Sequence, residues 1–421
     1  MSGLFGTLNI GVKGMTAAQT ALQTTSHNVS NMNTPGYSRQ RVNLQADNPY
    51  NYTGVGQLGT GVKMSGVVRV VDDYVTKQIQ DETSSYSRHA TKSDALSQLE
   101  MIFDEPSETG LSAGFSRVYA AWNYLGSSPE LATAKTMVSQ ESQTLTDTIK
   151  QMANQIEGLE GDTLYSIEKD VLDFNEKVGQ LSTLNKQIFN VVIKGQTPND
   201  LLDQRDRLTT ELASIADVTI TYDKFQGVKL ELDGNPVLDG DTIQKLAVQS
   251  GGAKGELELQ GADGSVKAIA IENGSIKGSQ EALAVINDKK VELNQLAYSF
   301  ATAINTVHGK EFFTVSQTDA AKNITVNADI KASPSLINAG KDLDKPAAGD
   351  GSRATAISAL ATTKLNYFQG ANFVGKYDGK TMSFEPQTGG TTTNGAYNDM
   401  VTSMGIVKQQ ADNIAASQSE V

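Results

Sequence analysis

The 421 residues leave room for more than one buried core, and 35 basic against 48 acidic residues give a net charge of −13. A chain that acidic is repelled by phosphate, so non-specific nucleic-acid binding starts at a disadvantage; the absence of Cys excludes disulfides, thiolate zinc sites, iron–sulfur clusters and Cys nucleophiles. The three histidines (His27, His89, His308) form no HExxH pair, and no apolar run reaches the roughly 18 residues of a membrane helix.

Residues 4–33 read as an amphipathic helix, with Leu8, Met15, Leu22 and Val29 seven residues apart. Gly6, Gly11 and Gly14 weaken it by about 1 kcal/mol each relative to Ala, so it is expected to need partner helices and to be mobile in a single subunit. From Met1 to Ala46 there is no Asp or Glu, while Lys13, Arg39 and Arg41 give +3; the net −13 therefore leaves −16 on the rest and marks this stretch as a unit with partners of its own. Pro35-Gly36 stops the helix. Val42 to Val71 alternates as short strands, Asp72 to Phe103 returns to helix, and a loop with Pro106 and Gly110 leads to a short helix holding Phe115, Tyr119 and Trp122.

Ser128 as N-cap and Pro129 at the first position then predict a helix start. Leu131, Val138, Leu145, Met152 and Leu159 carry its seam to a break expected near Gly158–Gly161. Ile167, Val171, Phe174, Val178, Leu181, Asn185, Ile188 and Val192 then step by fours and threes. This sustained heptad predicts long antiparallel helices in a rod-like bundle, with Asn185 as a buried register device. Thr197, Pro198 and Asp200 predict the next helix start, and Leu201, Leu208, Leu212 and Ile215 its seam. The period switches to two over residues 216–278, with Asp233-Gly234-Asn235-Pro236 as a turn, which predicts a small antiparallel β unit. Helix resumes from Gln280 to His308-Gly309. Short strands follow at Phe312–Val315 and Ile324–Val326, and a last helix runs from about Ala396 with Tyr397, Val401, Met404, Val407, Ala411 and Ile414 on its seam.

Little of this suggests chemistry. Gly54 to Gly59 matches GxGxxG, but a loop precedes it and an extended segment follows, so a flexible turn is the better reading than a nucleotide site. Asp200, Asp203, Arg205, Asp206 and Arg207 read as solvated and inter-helix salt bridging, and no catalytic, cofactor-binding or metal residue is assigned.

Ala21 to Val42, ALQTTSHNVSNMNTPGYSRQRV, resembles the N-terminal signature of bacterial flagellar rod, hook and hook-associated proteins. The later tracts PSETGLSAGFSRVYAAWNYLGSSPE, LNKQI, PNDLLDQRDRLTTELASIADV and LNQLAYSFATAINTVHG, in the same order, narrow the likeness to the hook–filament junction branch of that family. The resemblance implies a structural, non-enzymatic subunit that joins hook to filament by helical self-assembly. It also implies secretion through the flagellar type III export apparatus with a cytosolic chaperone. The implied neighbours are hook protein, a second junction protein (hook-associated protein 3) and further copies of the chain. Axial assembly and export would fall to Leu8, Met15, Leu22, Val29, Asn31, Asn33, Pro35, Gly36 and Tyr37, and the rod seam to Val138, Leu145, Met152, Leu159, Phe174, Leu181, Asn185 and Ile188. A related axial protein (the second junction protein or a flagellin) and a filament protein with an enzymatic outer domain are the alternatives.

The expected fold is α+β and elongated: a coiled-coil rod with an inserted antiparallel β-rich outer domain. Its segments would be an axial module at 1–46, a first rod limb at 47–215, the β-rich domain at 216–278, a returning helix at 279–311, an irregular region at 312–351 and a second limb at 352–421. The family's second conserved helix would begin about where the sequence stops at Val421, which reads as a truncation.

Overall fold

The computed structural model describes residues 4–103, 107, 110–251, 254–344, 347–368 and 375–419; Pro106 of the expected loop lies outside them. The fold is α+β, with ten α-helices and small antiparallel sheets among the described residues. The chain divides into two compact units. One takes the residues up to His89, Ser166–Gly278 and the stretch from Ala415; the other takes Ala90–Tyr165 and Ser279–Ile414. These boundaries fall inside helices, and the one between Gly278 and Ser279 is also where the expected β-rich segment gives way to the returning helix.

The first unit opens with α1 (Leu4–Ser30), followed by β1 (Gln40–Ala46), the hairpin of β2 (Tyr50–Tyr52) and β3 (Gly56–Leu58), and β4 (Val62–Arg69), which pairs antiparallel with β1. The GxGxxG stretch is the turn and second strand of the β2–β3 hairpin. Then come α2 (Asp73–Phe103), α3 (Leu111–Ser127), which belongs to the second unit, α4 (Ala132–Val192) and α5 (Asn199–Ile215). The β unit has two sheets. β5 (Thr219–Tyr222), β6 (Val228–Leu232), β7 (Asn235–Asp239) and β8 (Thr242–Ile243) form one in sequence order; β9 (Lys245–Val248), β10 (Leu257–Gln260) and β11 (Val266–Ile269) form the other, with β10 central. Asp233 and Gly234 both take positive φ (49° and 67°), the two-residue turn whose twist suits a hairpin, and they link β6 to β7; Asn235 and Pro236 of the expected turn already belong to β7.

Four expectations about α4, α5 and their starts need correction. The 61-residue α4 runs through Gly158 and Gly161 without a break. Ile156, Leu159 and Ile167 are buried on either side, and at about 2 kcal/mol per buried aliphatic side chain they outweigh about 1 kcal/mol per glycine. Its first residue is Ala132, because Ser128–Leu131 close a turn in which Leu131 N–H donates to the Ser128 carbonyl at 3.1 Å. Pro198, not Thr197, occupies the cap of α5, with no side-chain cap bond. Asn185 is no inter-helix register device: its Nδ2 donates to the Val228 carbonyl (2.8 Å) and its Oδ1 accepts the Val228 N–H (2.9 Å), so the amide clamps β6. Asn175, ten residues earlier on α4, clamps Leu246 of β9 in the same way at 2.7 and 2.9 Å.

The second unit is built around a core in which Phe115 and Trp122 of α3 meet Phe300, Phe312 and Phe313. Edge-to-face contacts place Phe115–Phe300 at 4.9 Å, Trp122–Phe312 at 5.1 Å and Phe312–Phe313 at 4.7 Å. Phe300 lies on α6 (Ser275–His308), which starts five residues ahead of expectation. Beyond it come β12 (Phe313–Thr314), α7 (Ala320–Asn323), β13 (Thr325–Val326), α8 (Ala328–Ala332), α9 (Ser352–Ala359), β14 (Tyr377–Asp378), β15 (Ser383–Phe384) and α10 (Thr393–Ser419). His308, at the end of α6, is fully buried. It donates from Nδ1 to the Lys310 carbonyl (2.9 Å) and accepts the Asn338 N–H at Nε2 (3.1 Å), and burial pulls its pKa down to about 4.

Candidate assembly site at the end of the first helix

Leu8, Met15, Leu22 and Val29 are 62–70 % exposed, so the apolar seam of α1 is unburied in this chain. The helix is nevertheless docked. Its other face, where Ala17 and Thr24 are buried, packs on the β1–β4 ribbon, and Ile10 lies against Gly61. That corrects the expectation of a helix without a partner in its own subunit. Small side chains allow the close approach, and hydrogen bonds hold it. Lys13 pairs with Asp47 at 2.5 Å. Near the helix end Asn28 Nδ2 donates to the Gln40 carbonyl at 2.8 Å, while its Oδ1 accepts the Gln40 N–H at 2.8 Å and the Tyr37 hydroxyl at 2.7 Å.

Asn31 to Tyr37 fold into successive turns: Thr34 N–H donates to Asn31 O (2.9 Å) and Tyr37 N–H to Thr34 O (3.1 Å). Asn33 and Pro35 are exposed. Gly36 has φ +78°, a conformation that favours a residue without Cβ, and it sits beside the Arg207 side chain. The Tyr37 ring stands edge-on to His27 with centroids 5.4 Å apart. Desolvation, with Asp200 and Asp203 nearby, raises the Tyr37 phenol above its ordinary pKa and keeps it a hydrogen-bond donor.

The charge cluster of α5 meets this turn. Ser38 N–H donates to Asp203 (3.2 Å) and Gln40 Nε2 to Asp200 (3.0 Å), while Asn199 Nδ2 reaches the Val67 carbonyl of β4 at 2.9 Å. Arg69, at the end of β4, places one guanidinium nitrogen 2.7 Å from Asp203 and 2.8 Å from Asp206. Burial opposes its charge, but the hydrogen bonds and charges of the two carboxylates more than offset that and raise its pKa. Arg205 bonds Asp206 at 2.8 and 2.6 Å and the Gln226 carbonyl at 3.0 Å, with its guanidinium 4.3 Å from the Tyr222 ring centre. The expected solvated cluster is solvated at Asp200 and Arg207, whereas Asp203, Arg205 and Asp206 form a network shielded from water, because Arg69, 134 residues before Asp203, enters between its carboxylates. A cleft of about 270 Å³ remains beside it, lined by His27, Pro35, Tyr37, Gln204 and Arg207.

These two tracts, NTPGY and PNDLLDQRD, are among those that carried the sequence resemblance, and the comparisons agree. The profile described as flagellar hook-associated protein FlgK helical domain matches residues 96–321. The chain belongs to the flagellar hook-associated FlgK family. A flagella basal body rod protein profile matches residues 8–37, the α1 and NTPGY segment. Flagellar hook-associated protein 1 of Bacillus subtilis is 29 % identical over 416 residues, covering 87 % of this chain and 82 % of the relative. That of Salmonella typhimurium is 28 % identical over 342 residues, covering 76 % of this chain and 61 % of the relative. The flagellar hook junction protein FlgK from Burkholderia pseudomallei has the same fold at a TM-score of 0.67 and 14 % identity, over 82 % of this chain and 97 % of that one. The family is a structural, flagellar one.

The rod-seam residues Val138, Leu145, Met152, Leu159, Phe174, Leu181 and Ile188 are all buried, and Asn185 is half-buried. Sequence reasoning missed Asn28 and Arg69. Asn28 lay in the quoted signature tract, two turns from Tyr37; Arg69 had no local signal.

Proposed function

We propose that the chain is a hook–filament junction subunit that assembles around the flagellar axis through the exposed seam of α1. The observation that carries this reading is the seam itself: four large apolar side chains in heptad register, each more than half exposed, on a helix that its own subunit grips by the opposite face. Exposed apolar stripes of that length are covered by partners in working proteins. Asn31 to Tyr37 serve the same axial module by ending the helix against α5, and the buried seam of α4 stiffens the body that carries it. Hook protein, the second junction protein and further copies are the neighbours on this reading, and the chain reaches them unfolded through the type III export channel with a cytosolic chaperone. The role is structural, without catalysis.

Gold-labelled antibody on isolated flagella tests it. Label confined to the boundary between hook and filament is expected; label along the filament, or none on flagella that have junctions, overturns the proposal.

A further inference from the structure

The two faces of α1 do different work. At 3.6 residues per turn, the seam of Leu8, Met15, Leu22 and Val29 lies roughly opposite the face of Ala17, Thr24 and Asn28. On that face only Ala17 and Thr24 are buried among the described side chains, with Ile10 against Gly61, which leaves little apolar packing to stop the helix from rolling about its axis. Directional bonds do that instead: Lys13 pairs with Asp47 in the first half of the helix, and at its end three bonds converge on one side chain. Asn28 uses both amide atoms on the Gln40 backbone and its oxygen again on Tyr37. Gln40, itself buried, passes the constraint on: its side chain donates to Asp200 at 3.0 Å and accepts from Asn199 at 3.4 Å, both on α5. A roll of α1 by one residue position, about 100°, would break all three bonds of Asn28 together.

We propose that Asn28 is a positioning residue for assembly: by locking the roll of α1 against Gln40 and, through it, α5, it fixes the direction in which the apolar seam faces. The proposal rests on the seam being the assembly surface, as given above. It assigns Asn28 no contact with a neighbouring subunit; its effect is carried by where Leu8, Met15, Leu22 and Val29 point.

The chain lacks Cys, so spin labels can be placed at Gln19→Cys on α1 and Lys224→Cys in the β unit, both exposed sites. Pulsed dipolar spectroscopy on the full chain should give one narrow distance distribution. Asn28→Ala should broaden it several-fold and reduce junctions formed in a strain carrying only this variant by at least tenfold, while far-UV circular dichroism, which reports on both units, keeps the amplitude and melting profile of the parent. Tyr37→Phe, which removes one of the three bonds, should fall between the two in both readouts; it decides the matter if Asn28→Ala fails to fold. Asn28→Asp keeps the acceptor for Gln40 and Tyr37 and should restore part of both. A distribution that stays narrow in Asn28→Ala overturns the proposal, as do normal junctions with a broadened distribution. Leu8→Ser with Leu22→Ser separates the two ideas: it should leave the distribution narrow and abolish junctions. Normal junctions there would overturn the assembly reading itself.

Discussion

Asn185→Leu is expected to lower stability by about 1–3 kcal/mol, because Val228 is buried and its N–H and C=O would both lose this partner. The urea midpoint measures it; a rise would return Asn185 to the role of a tolerated polar residue on a helix seam. His308 makes a second prediction at this scale. Its folded pKa of about 4 lies below the ordinary 6.5, so the unfolded chain takes the proton first. The stability it allows is complete above pH 6.5 and is lost as pH falls toward 4, by roughly 3 kcal/mol. Unfolding free energy followed across that window should show the slope, and His308→Gln should flatten it. An unchanged slope in the variant would assign the acid sensitivity to groups other than His308; Asp170 and Asp217 are not among them, because burial raises their pKa and their contribution to stability grows as pH falls.

Among the elements, α4 carries three glycines, Gly158, Gly161 and Gly179, that bring it no close contact. A methyl group at Gly158 or Gly161 meets nothing within 4 Å, and each sits in regular helix. Gly158→Ala and Gly161→Ala should each stabilise the subunit by roughly 1 kcal/mol, read as a rise in melting temperature; a fall would mean that the monomer's helix is strained there. The contrast between what was and was not legible in the sequence is clear in this helix. Its seam could be read because burial on a helix repeats every three or four residues, so Val138 to Ile188 announce themselves. Its clamps could not, since the strand that Asn185 holds is 43 residues away and the one that Asn175 holds is 71. Short helices such as α7, α8 and α9 escaped because four to eight residues do not display a period. At the site, the turn chemistry of Pro35-Gly36 was legible locally, whereas the Arg69 bridge to α5 exists only once the chain has folded.

For the whole molecule, removing residues 1–46 discriminates between the two compact units. The sequence alone suggests that this cut leaves everything else folded. The structure changes that expectation for the first unit, because β1 is the pairing partner of β4 and leaves with the deleted segment. Trp122 is the single tryptophan and lies in the second unit, whose core takes no residue from 1–46. Its fluorescence transition should therefore keep the parent midpoint, while far-UV circular dichroism gains an earlier phase; a shifted Trp122 midpoint would contradict this. The way α1 is held has a mechanical corollary. Apolar seams yield by sliding, since dispersion is indifferent to small shear, but hydrogen bonds weaken steeply with angle and fail over fractions of an ångström. The grip of Asn28, Tyr37 and Gln40 on α1 therefore behaves as a shear pin. Under torque it holds its angle until a threshold and then releases abruptly, so a rotating structure built on this subunit would transmit small twists through α1 undamped and lose registry only in discrete slips.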